Sequence, residues 1–352
     1  MQSIPEMPVQ TAQMHKKRRN NIAVLQKFFQ CRTPQERAKL FTPDGTLIKE
    51  FRFYGEPVEV SVYKVAETID QISNPYVRQT ATEDWVWYNT SLFGTQDPDI
   101  LIVENWGEGK LDGLDGFYCN HFVHLFEMQD GMIRRHREFC DPKQLMRAMN
   151  LPVPAMPDEE EGSQRDRQHF LDDQTERLED CTEFFDGPVD SQIRQENLQH
   201  VRDHFDDAFR LSGRRMDLYG ERAVRRQPFP FYGVSRRILV KQQMAAPPPM
   251  PGQSASPGGF PGWSTYDYHY YATGDPAFIW LEDRGEGEQT IAGTNGHYKN
   301  HYMHSFRFDE DGKILEYREF CNPIQMMRAM GLSIPELPYQ KEALEYEESL
   351  RP

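Results

Sequence analysis

The sequence predicts an α+β protein built from two copies of one domain, each with helices packed on a curved antiparallel sheet. The first observation is a long internal repeat. Residues 116–154 and 296–335 carry the same strings in the same order, namely Gly-x-Tyr-x-Asn-His, Arg-Glu-Phe-Cys-x-Pro and Met-Arg-Ala-Met. The second is that helical patterns precede strand patterns in the first copy. A repeat of about 150 residues is the size of a whole domain, which excludes a solenoid.

The first copy begins with helices and ends with strands. Apolar residues at helical spacing fill Asn20–Gln30, and Thr33-Pro34 followed by Glu36 is typical of a second helix start. Phe41–Gly45 has the composition of a turn. The remaining pattern predicts a helix over Ser61–Ser73, strands over Trp85–Phe93, Ile100–Trp106, Tyr118–Met128 and Met132–Phe139 with a turn at Asp130-Gly131, and a closing helix over Pro142–Met149.

Two tracts interrupt the repeat. The acidic tract 158–190 has little apolar content, which predicts a linker between the copies. The second copy starts with a helix over Gln192–Leu211, and its sheet resumes at Trp263 after a Pro/Gly/Ser-rich insertion at 245–262. We expect that insertion to be a surface loop, with a lid over the second pocket as the alternative. The predicted organisation is an N-terminal extension at 1–17, domains at 18–157 and 191–340 joined by the linker, and a tail at 341–352.

Composition excludes several classes of function. The 352 residues carry a formal net charge of −15, which repels phosphate backbones and argues against nucleic acid as a partner. The sequence has no long apolar run, which predicts no membrane span, and its first residues lack the apolar core of a signal peptide. Five cysteines without metal-type spacing indicate reduced thiols. We therefore expect a cytoplasmic protein.

The repeated histidines do not have the spacing of metal ligands. In a strand, side chains alternate between faces, so His121 and His124 point to opposite sides, and the same holds for His301 and His304. With no acid–histidine cluster at ligand spacing, the sequence predicts no metal site. Each of His124 and His304 is then either a pocket residue or a hydrogen-bonded core histidine.

A glutamate recurs on the strand that follows. Glu138 shares a strand face with Arg134, His136 and Cys140, and Glu319 shares one with Leu315, Tyr317 and Cys321. A carboxyl group on such a mixed, inward face loses water, which raises its pKa and suits it to general acid or base work. A structural ion pair, for example with Arg137 or Arg318, is the open alternative.

These strings resemble those of the phenazine biosynthesis protein A/B family, whose members have the NTF2-like cone fold. The resemblance rests on Asp84-Trp-Val-Trp-Tyr-Asn89, Thr95-Gln-Asp-Pro98, Gly116-Phe-Tyr-Cys-Asn-His121 and Arg137-Glu-Phe-Cys-Asp-Pro142. It covers the first copy well and the second more weakly before Trp263. It implies two NTF2-like cones packed as a covalent pseudo-dimer, with a further homodimer of chains as an open alternative.

The resemblance also implies chemistry. Family members bind a small amino-ketone ring acid and promote condensation of two such molecules by imine formation and loss of water. This sequence itself carries no motif for a metal or an organic cofactor, so none is expected. The family's acid/base glutamate falls on Glu138 and Glu319, and its pocket tyrosine falls on Tyr118 and Tyr298. Its carboxylate-anchoring arginine falls on Arg37 in the first copy and on Arg215 in the second, with the neighbouring Arg214 as the alternative. We expect His124 and His304 to contact substrate as well.

The sequence also departs from the family. Family members carry a histidine and a serine four residues apart on the third helix, where this chain has Ile69 and Ser73 and the second copy has neither. Ser73 is therefore retained as a candidate substrate contact, but the substrate or reaction is expected to differ. Two alternatives remain open: an isomerase or cyclase that uses the same glutamate, and a ligand-binding or scaffold protein without catalysis.

Overall fold

The protein forms two compact units, each containing one repeat. The computed structural model describes residues 4, 6–153, 188–206, 209, 212–230, 238–241, 263–291 and 294–352. The first unit comprises residues 11–153 with 334–352, and the second comprises 4–10 with 188–333, within those described ranges. No helix in the described part of the chain is long and apolar enough to cross a membrane.

Six strands and five helices of the first repeat build the first unit. The helices are α1 (Ala12–Gln30), α2 (Pro34–Ala38), α3 (Val62–Thr68), α4 (Pro75–Arg78) and α5 (Pro142–Ala148). The strands are β1 (Phe41–Lys49), β2 (Glu59–Ser61), β3 (Val86–Gly94), β4 (Ile100–Lys110), β5 (Phe117–Gln129) and β6 (Met132–Cys140). They form one sheet in the order β2-β1-β6-β5-β4-β3.

Local sequence accounts for several of these elements. Thr33 and Glu36 form a capping box at the start of α2, with Pro34 in the first turn, as the sequence predicted. Gly131 and Asp130 both have positive φ, which closes the tight hairpin between β5 and β6. Gly116 opens its motif because α5 lies against it: an added Cβ would come within 1.8 Å of the Ala148 carbonyl oxygen.

Other elements differ from the expectation. Phe41–Gly45 is the first half of β1 and not a turn, and the strand absorbs the proline and glycine through a register shift between Phe41 and Thr46. Because β1 pairs in parallel with β6, the sheet is mixed and not wholly antiparallel. The first helix starts at Ala12, capped by Thr11, and the helix predicted over Ser61–Ser73 is shorter, since α3 ends at Thr68.

The second unit repeats the topology. It contains the helices α6 (Pro188–Phe205) and α7 (Pro323–Ala329), a short 3-10 helix at Arg214–Leu218, and the strands β7 (Tyr219–Arg226), β8 (Ile238–Leu239), β9 (Ser264–Ala272), β10 (Phe278–Ile291), β11 (Thr294–Phe308) and β12 (Ile314–Cys321). The sheet order is β8-β7-β12-β11-β10-β9, with β7 parallel to β12. Helix α6 begins inside the predicted linker, whose residues 158–187 lie outside the described ranges together with the insertion at 245–262.

Each unit buries an apolar core between its sheet and its long helix. In the first, Leu25 and Phe28 of α1 pack with Phe126 and Ile133 of the sheet. In the second, Leu198 and Val201 of α6 pack with sheet residues that include Ile279, Phe306 and Tyr317. One face of each sheet therefore supplies the inward side chains on which a pocket can be built.

The ends of the chain do not follow the predicted boundaries. The last helix, α8 (Gln340–Ser349), belongs to the first unit, although it follows the second repeat. Ile4 and Met7 pack against the core of the second unit, although they precede the first repeat. The expected extension and tail are therefore parts of the two units.

Candidate functional site

A cavity of about 250 Å³ opens in the first unit between the sheet and helices α2 and α3. Its walls contain a cluster of aromatic side chains, Trp85, Trp87, Tyr118 and Phe122. Five cationic side chains also line it, namely Arg32, Arg37, Lys49, Arg52 and Arg78, whereas Glu138 is the carboxylate in the lining. The cavity thus combines flat apolar walls with positive charge and one acidic group, as small-molecule sites commonly do.

The strand pattern of β5 and β6 positions the polar floor. The two strands pair so that His124 lies opposite Glu138 and Phe126 lies opposite His136. Because side chains alternate, His136 and Glu138 point to the same face as His124. The sequence predicted the common face of His136 and Glu138 but not that His124 joins it, and the structure brings all three side chains into the cavity lining.

Glu138 is half-buried in the cavity wall. Among the described residues its carboxylate makes no hydrogen bond and no ion pair. Burial raises the pKa of Glu138, and the nearby cations Lys49 and Arg37 oppose that rise only in part. The alternative of an ion pair with Arg137 is wrong, because Arg137 pairs with Glu50 at 2.6 Å.

Arg37, on α2, faces the same cavity. Its guanidinium lies 5.4 Å from the centroid of the Phe28 ring, and it donates one long hydrogen bond, 3.5 Å, to the Cys31 carbonyl oxygen. Within the described ranges no carboxylate reaches ion-pairing distance of Arg37. Burial lowers the pKa of Arg37, and the charge of Glu138 opposes that shift. A cation held in this way can bind the carboxylate of a ligand.

His124 and His136 form a buried pair beside Glu138. Nε2 of His136 donates to Nδ1 of His124 at 2.9 Å, and Nε2 of His124 donates to Oδ1 of Asn105 at 3.1 Å. Burial, helped by the charge of Arg37, lowers the pKa of His124 to about 3 and that of His136 well below its usual range. Both imidazoles are therefore neutral at neutral pH.

The structure corrects one expectation about metals. His124, His136 and Glu138 offer three ligand atoms within 4.8 Å of one another, so an acid–histidine cluster does exist in the first unit. Pairing between neighbouring strands creates it, which spacing along one strand does not reveal. Arg37 adds a positive charge next to the cluster, and the imidazoles already bond to each other. These residues fit proton handling and anion binding better than a divalent cation.

Tyr118 and Ser73 have different outcomes as predicted substrate contacts. Tyr118 is buried in the lining, where its hydroxyl accepts a hydrogen bond from Asn120 at 3.0 Å and burial raises its pKa. Ser73 is exposed and lies outside the lining, because α3 and the 3-10 turn after it end before that position. The expected contact from Ser73 is therefore wrong, whereas Ile69 does line the cavity.

In the second unit, Glu319 has a different environment. Arg225 donates to its carboxylate at 3.0 Å, Gln227 donates at 2.6 Å and the Tyr317 hydroxyl donates at 3.0 Å. Burial by itself would raise the pKa of Glu319, but these partners together with His304 hold it at about 2. Glu319 is thus ionised in a structural ion pair, with Arg225 and not with Arg318.

The other predicted residues of the second unit are engaged with one another. The buried Tyr298 hydroxyl accepts hydrogen bonds from Asn300 at 2.8 Å and from Tyr302 at 3.0 Å. His304 contacts the Tyr317 hydroxyl at 3.0 Å and Asp283 at 3.1 Å, and Arg215 donates to His204 at 2.6 Å. These side chains form an internal polar network. Within the described ranges, that network uses groups that would otherwise be available to a ligand.

Sequence reasoning missed several parts of the first cavity. The alternation Trp85-Val-Trp87 could have indicated two indoles on one face. Strand alternation predicts the face of His136 but assigns it no function. Arg52 and Tyr54 lie in a segment without regular structure, and nothing in the local sequence signals that they reach the cavity.

Comparison with known proteins gives consistent matches on both repeats. The family model for phenazine biosynthesis protein A/B matches residues 7–162 and 254–343. Phenazine biosynthesis protein PhzB of Pseudomonas fluorescens is 36% identical over 143 residues, which are 39% of this chain and 85% of that protein. PhzB1 of Pseudomonas aeruginosa is 50% identical over 74 residues, which are 20% of this chain and 46% of that protein. The crystal structure of a phenazine biosynthesis-related protein (phzb2) from Pseudomonas aeruginosa is 32% identical, covers 43% of this chain and 96% of that chain, and has a TM-score of 0.36.

Proposed function

The chain belongs to the phenazine biosynthesis protein A/B family, and on that premise we propose that its first unit condenses or cyclises small amino-ketone or carbonyl acids. Both units have the NTF2-like α+β fold, with a six-stranded mixed sheet and helices. The single observation that carries the proposal is the state of Glu138: a half-buried carboxyl with a raised pKa and no ion-pair partner among the described residues, in a cavity lined by aromatic rings.

The reaction needs a group that gives and takes one proton. The amine of one reactant attacks the ketone carbon of the other and forms a C–N bond, which gives a carbinolamine. Glu138 protonates the carbinolamine oxygen, the C–O bond breaks and water leaves, and the carboxylate then accepts the proton from nitrogen. The sum is amine plus ketone giving imine plus water, with Glu138 regenerated. An isomerase or cyclase that moves a proton at carbon would use the same carboxyl group.

The rest of the cavity orients the reactants. Arg37 anchors the carboxylate of a ring acid, and the rings of Trp85, Trp87 and Phe122 enclose its apolar part. Holding two reactants in one orientation supplies much of the rate, because the entropy of their encounter is lost at binding. The neutral pair of His124 and His136 accepts or donates hydrogen bonds without adding charge beside Glu138.

We propose that the second unit contributes less to the chemistry than the first. Glu319 is held as an anion by Arg225, so it cannot act as an acid near neutral pH. We propose that this unit has a structural or ligand-binding role. That role is the non-catalytic alternative, confined here to one repeat.

Replacement of each glutamate by glutamine tests the proposal. The wild-type protein and the Glu138→Gln and Glu319→Gln variants are incubated with a panel of cyclic amino-ketone carboxylic acids, and mass spectrometry detects the dehydrated dimer. We expect Glu138→Gln to lower the rate by about 10²–10⁴-fold, the usual contribution of a general acid, and Glu319→Gln to retain it. Full activity of Glu138→Gln on a substrate that the wild type converts would refute the proposed role.

A further inference from the structure

The cationic side chains of the first cavity differ in how their charges are balanced. Arg78 pairs with Asp112, and Arg52 pairs with Glu347 at 2.7 Å. Arg37 has no such carboxylate partner among the described residues. Of these three arginines, Arg37 is therefore the one that offers its full charge to a ligand.

Glu347 is connected to the cavity wall by several bonds. Nη2 of Arg52 donates to both carboxylate oxygens, at 2.8 and 2.7 Å, and the Tyr54 hydroxyl donates to one of them at 3.2 Å. The side-chain amide of Gln79 in turn donates to the Tyr54 hydroxyl at 3.1 Å. Arg52, Tyr54 and Gln79 all line the cavity, so Glu347 orders a continuous part of its wall.

The helix that carries Glu347 is firmly seated on the first unit. The Ser61 amide donates to the Leu350 carbonyl oxygen at 2.8 Å, and the hydroxyls of Thr68 and Tyr346 are 2.9 Å apart. Gly55, with a positive φ of 60°, permits the close approach of Leu344, whose methyl carbon would lie 2.8 Å from an added Cβ. Helix α8 thus brings a carboxylate from near position 350 to the wall of a cavity built by residues 28–145.

We propose that Glu347 is a specificity-determining residue that disfavours a second ligand carboxylate beside Arg52 in the first cavity. This inference rests on the proposed function, in which Arg37 anchors the acid group of a ring compound. Both carboxylate oxygens of Glu347 accept from Nη2 of Arg52, while Nη1 of Arg52 donates to the Glu56 carbonyl oxygen at 2.9 Å. A second carboxylate on the ligand therefore finds no available partner at that wall and meets the negative charge of Glu347.

The partly buried position makes this selection effective. The side chain of Arg52 is only 7% exposed and that of Glu347 is 23% exposed, so water screens their charges less than at an open surface. If the carboxylate of Glu347 is removed, Arg52 can pair with a second ligand carboxylate. A hydrogen bond to a charged group is worth about 1.5–3 kcal/mol, which corresponds to at least about a tenfold change in affinity.

The test measures binding without turnover, so it does not depend on the true substrate. Calorimetry compares benzoate with phthalate, isophthalate and terephthalate, whose two carboxylates differ in spacing. The variants are Glu347→Gln and, as the matched control, Glu348→Gln, because Glu348 lies on the same helix and pairs only with the exposed Arg351 among the described residues. Thermal unfolding verifies that both variants are folded.

We expect the wild type and Glu348→Gln to bind benzoate at least about tenfold more tightly than the dicarboxylate whose second carboxylate reaches the Arg52 wall. Glu347→Gln should bind that dicarboxylate about tenfold more tightly than the wild type does, and this gain should exceed any change in its benzoate affinity. Adding Arg52→Gln to Glu347→Gln should abolish the gain, which separates a charge effect from a general opening of the wall.

Two results would overturn the inference, and they are distinguishable. If benzoate binds the wild type but Glu347→Gln has the same affinities as Glu348→Gln, the specificity role is wrong while the anchoring role of Arg37 stands. If benzoate and the dicarboxylates bind neither the wild type nor Glu347→Gln, the cavity does not take ring carboxylates, and the proposed substrate class fails together with the specificity role.

Discussion

The guanidinium of Arg225 lies 3.0 Å from the carboxylate of Glu319. The strand registers show what replaces it in the first repeat. Arg225 of β7 lies opposite Tyr317 of β12, and Leu47 of β1 lies opposite His136 of β6. Because His136 and Tyr317 precede the two glutamates by the same two residues, Leu47 is the counterpart of Arg225. One apolar residue in place of an arginine therefore leaves the carboxyl group of the first repeat unpaired.

Leu47→Arg should convert the first site into the arrangement of the second. The new guanidinium would pair with Glu138, lower its pKa and remove the protonated form. We expect a loss of condensation rate of about 10²-fold or more, since a general acid contributes about that much. Leu47→Met, which adds no charge, should retain activity. A fully active Leu47→Arg protein in which a structure shows the new ion pair would contradict the acid role of Glu138.

The pH dependence of the rate should report the raised pKa of Glu138. Because the acid form is the active one, the rate should persist above the ordinary range of glutamic acid and fall as the pH rises through the raised value. The positive charges of Lys49 and Arg37 lower the pKa of Glu138 and so offset part of the effect of burial. The rate should therefore fall at a lower pH than burial alone would give. Glu138→Gln should remove the dependence from the residual rate. An increase of wild-type rate through the same range would show that the carboxylate acts as a base.

Arg37 should govern binding more than turnover. Arg37→Met removes the proposed carboxylate anchor, and a charge-assisted bond of about 1.5–3 kcal/mol corresponds to about 10- to 150-fold weaker benzoate binding. Arg37→Lys keeps the charge but loses the planar guanidinium, so its benzoate affinity should lie between those of the wild type and Arg37→Met. Calorimetry measures each affinity. Unchanged benzoate binding by Arg37→Met would place the anchor elsewhere.

His136→Tyr should make the protein less sensitive to mild acid. The folded-state pKa values of His124 and His136 are depressed, so the unfolded chain binds protons that the folded chain does not, and stability falls as the pH drops below about 6.5. The hydroxyl of a tyrosine at this position can donate to Nδ1 of His124, since the Tyr317 hydroxyl lies 3.0 Å from Nδ1 of His304 at the equivalent place in the second unit. The substitution therefore removes one of the two histidines whose protonation favours the unfolded chain.

The measurement for His136→Tyr is the unfolding temperature at about pH 7 and about pH 5, a window above the ordinary range of the carboxylates. We expect a smaller drop for the variant than for the wild type. Equal drops in both proteins would show that His136 is not held neutral in the folded state.

Much of the first site could be predicted from local sequence. Tyr118, His124 and Glu138 lie on two strands joined by a tight turn at Asp130-Gly131, and period-two alternation fixes their faces. The prediction failed for Ser73 because helix length depends on where α3 packs. It missed the contact between His124 and His136, since that contact crosses from one strand to the next.

The sequence by itself determined the duplication, the α+β character of each unit and the hairpin that carries the glutamate, because these follow from repeated strings and short-range periodicity. Tertiary structure decided the different states of the two glutamates. Glu50, directly after β1, pairs with Arg137 of β6 across 87 residues, and Arg225 of β7 pairs with Glu319 of β12 across 94. The tertiary structure also brings Glu347 to Arg52 across 295 residues. Local pattern does not encode these registers, because they depend on how distant segments share one core.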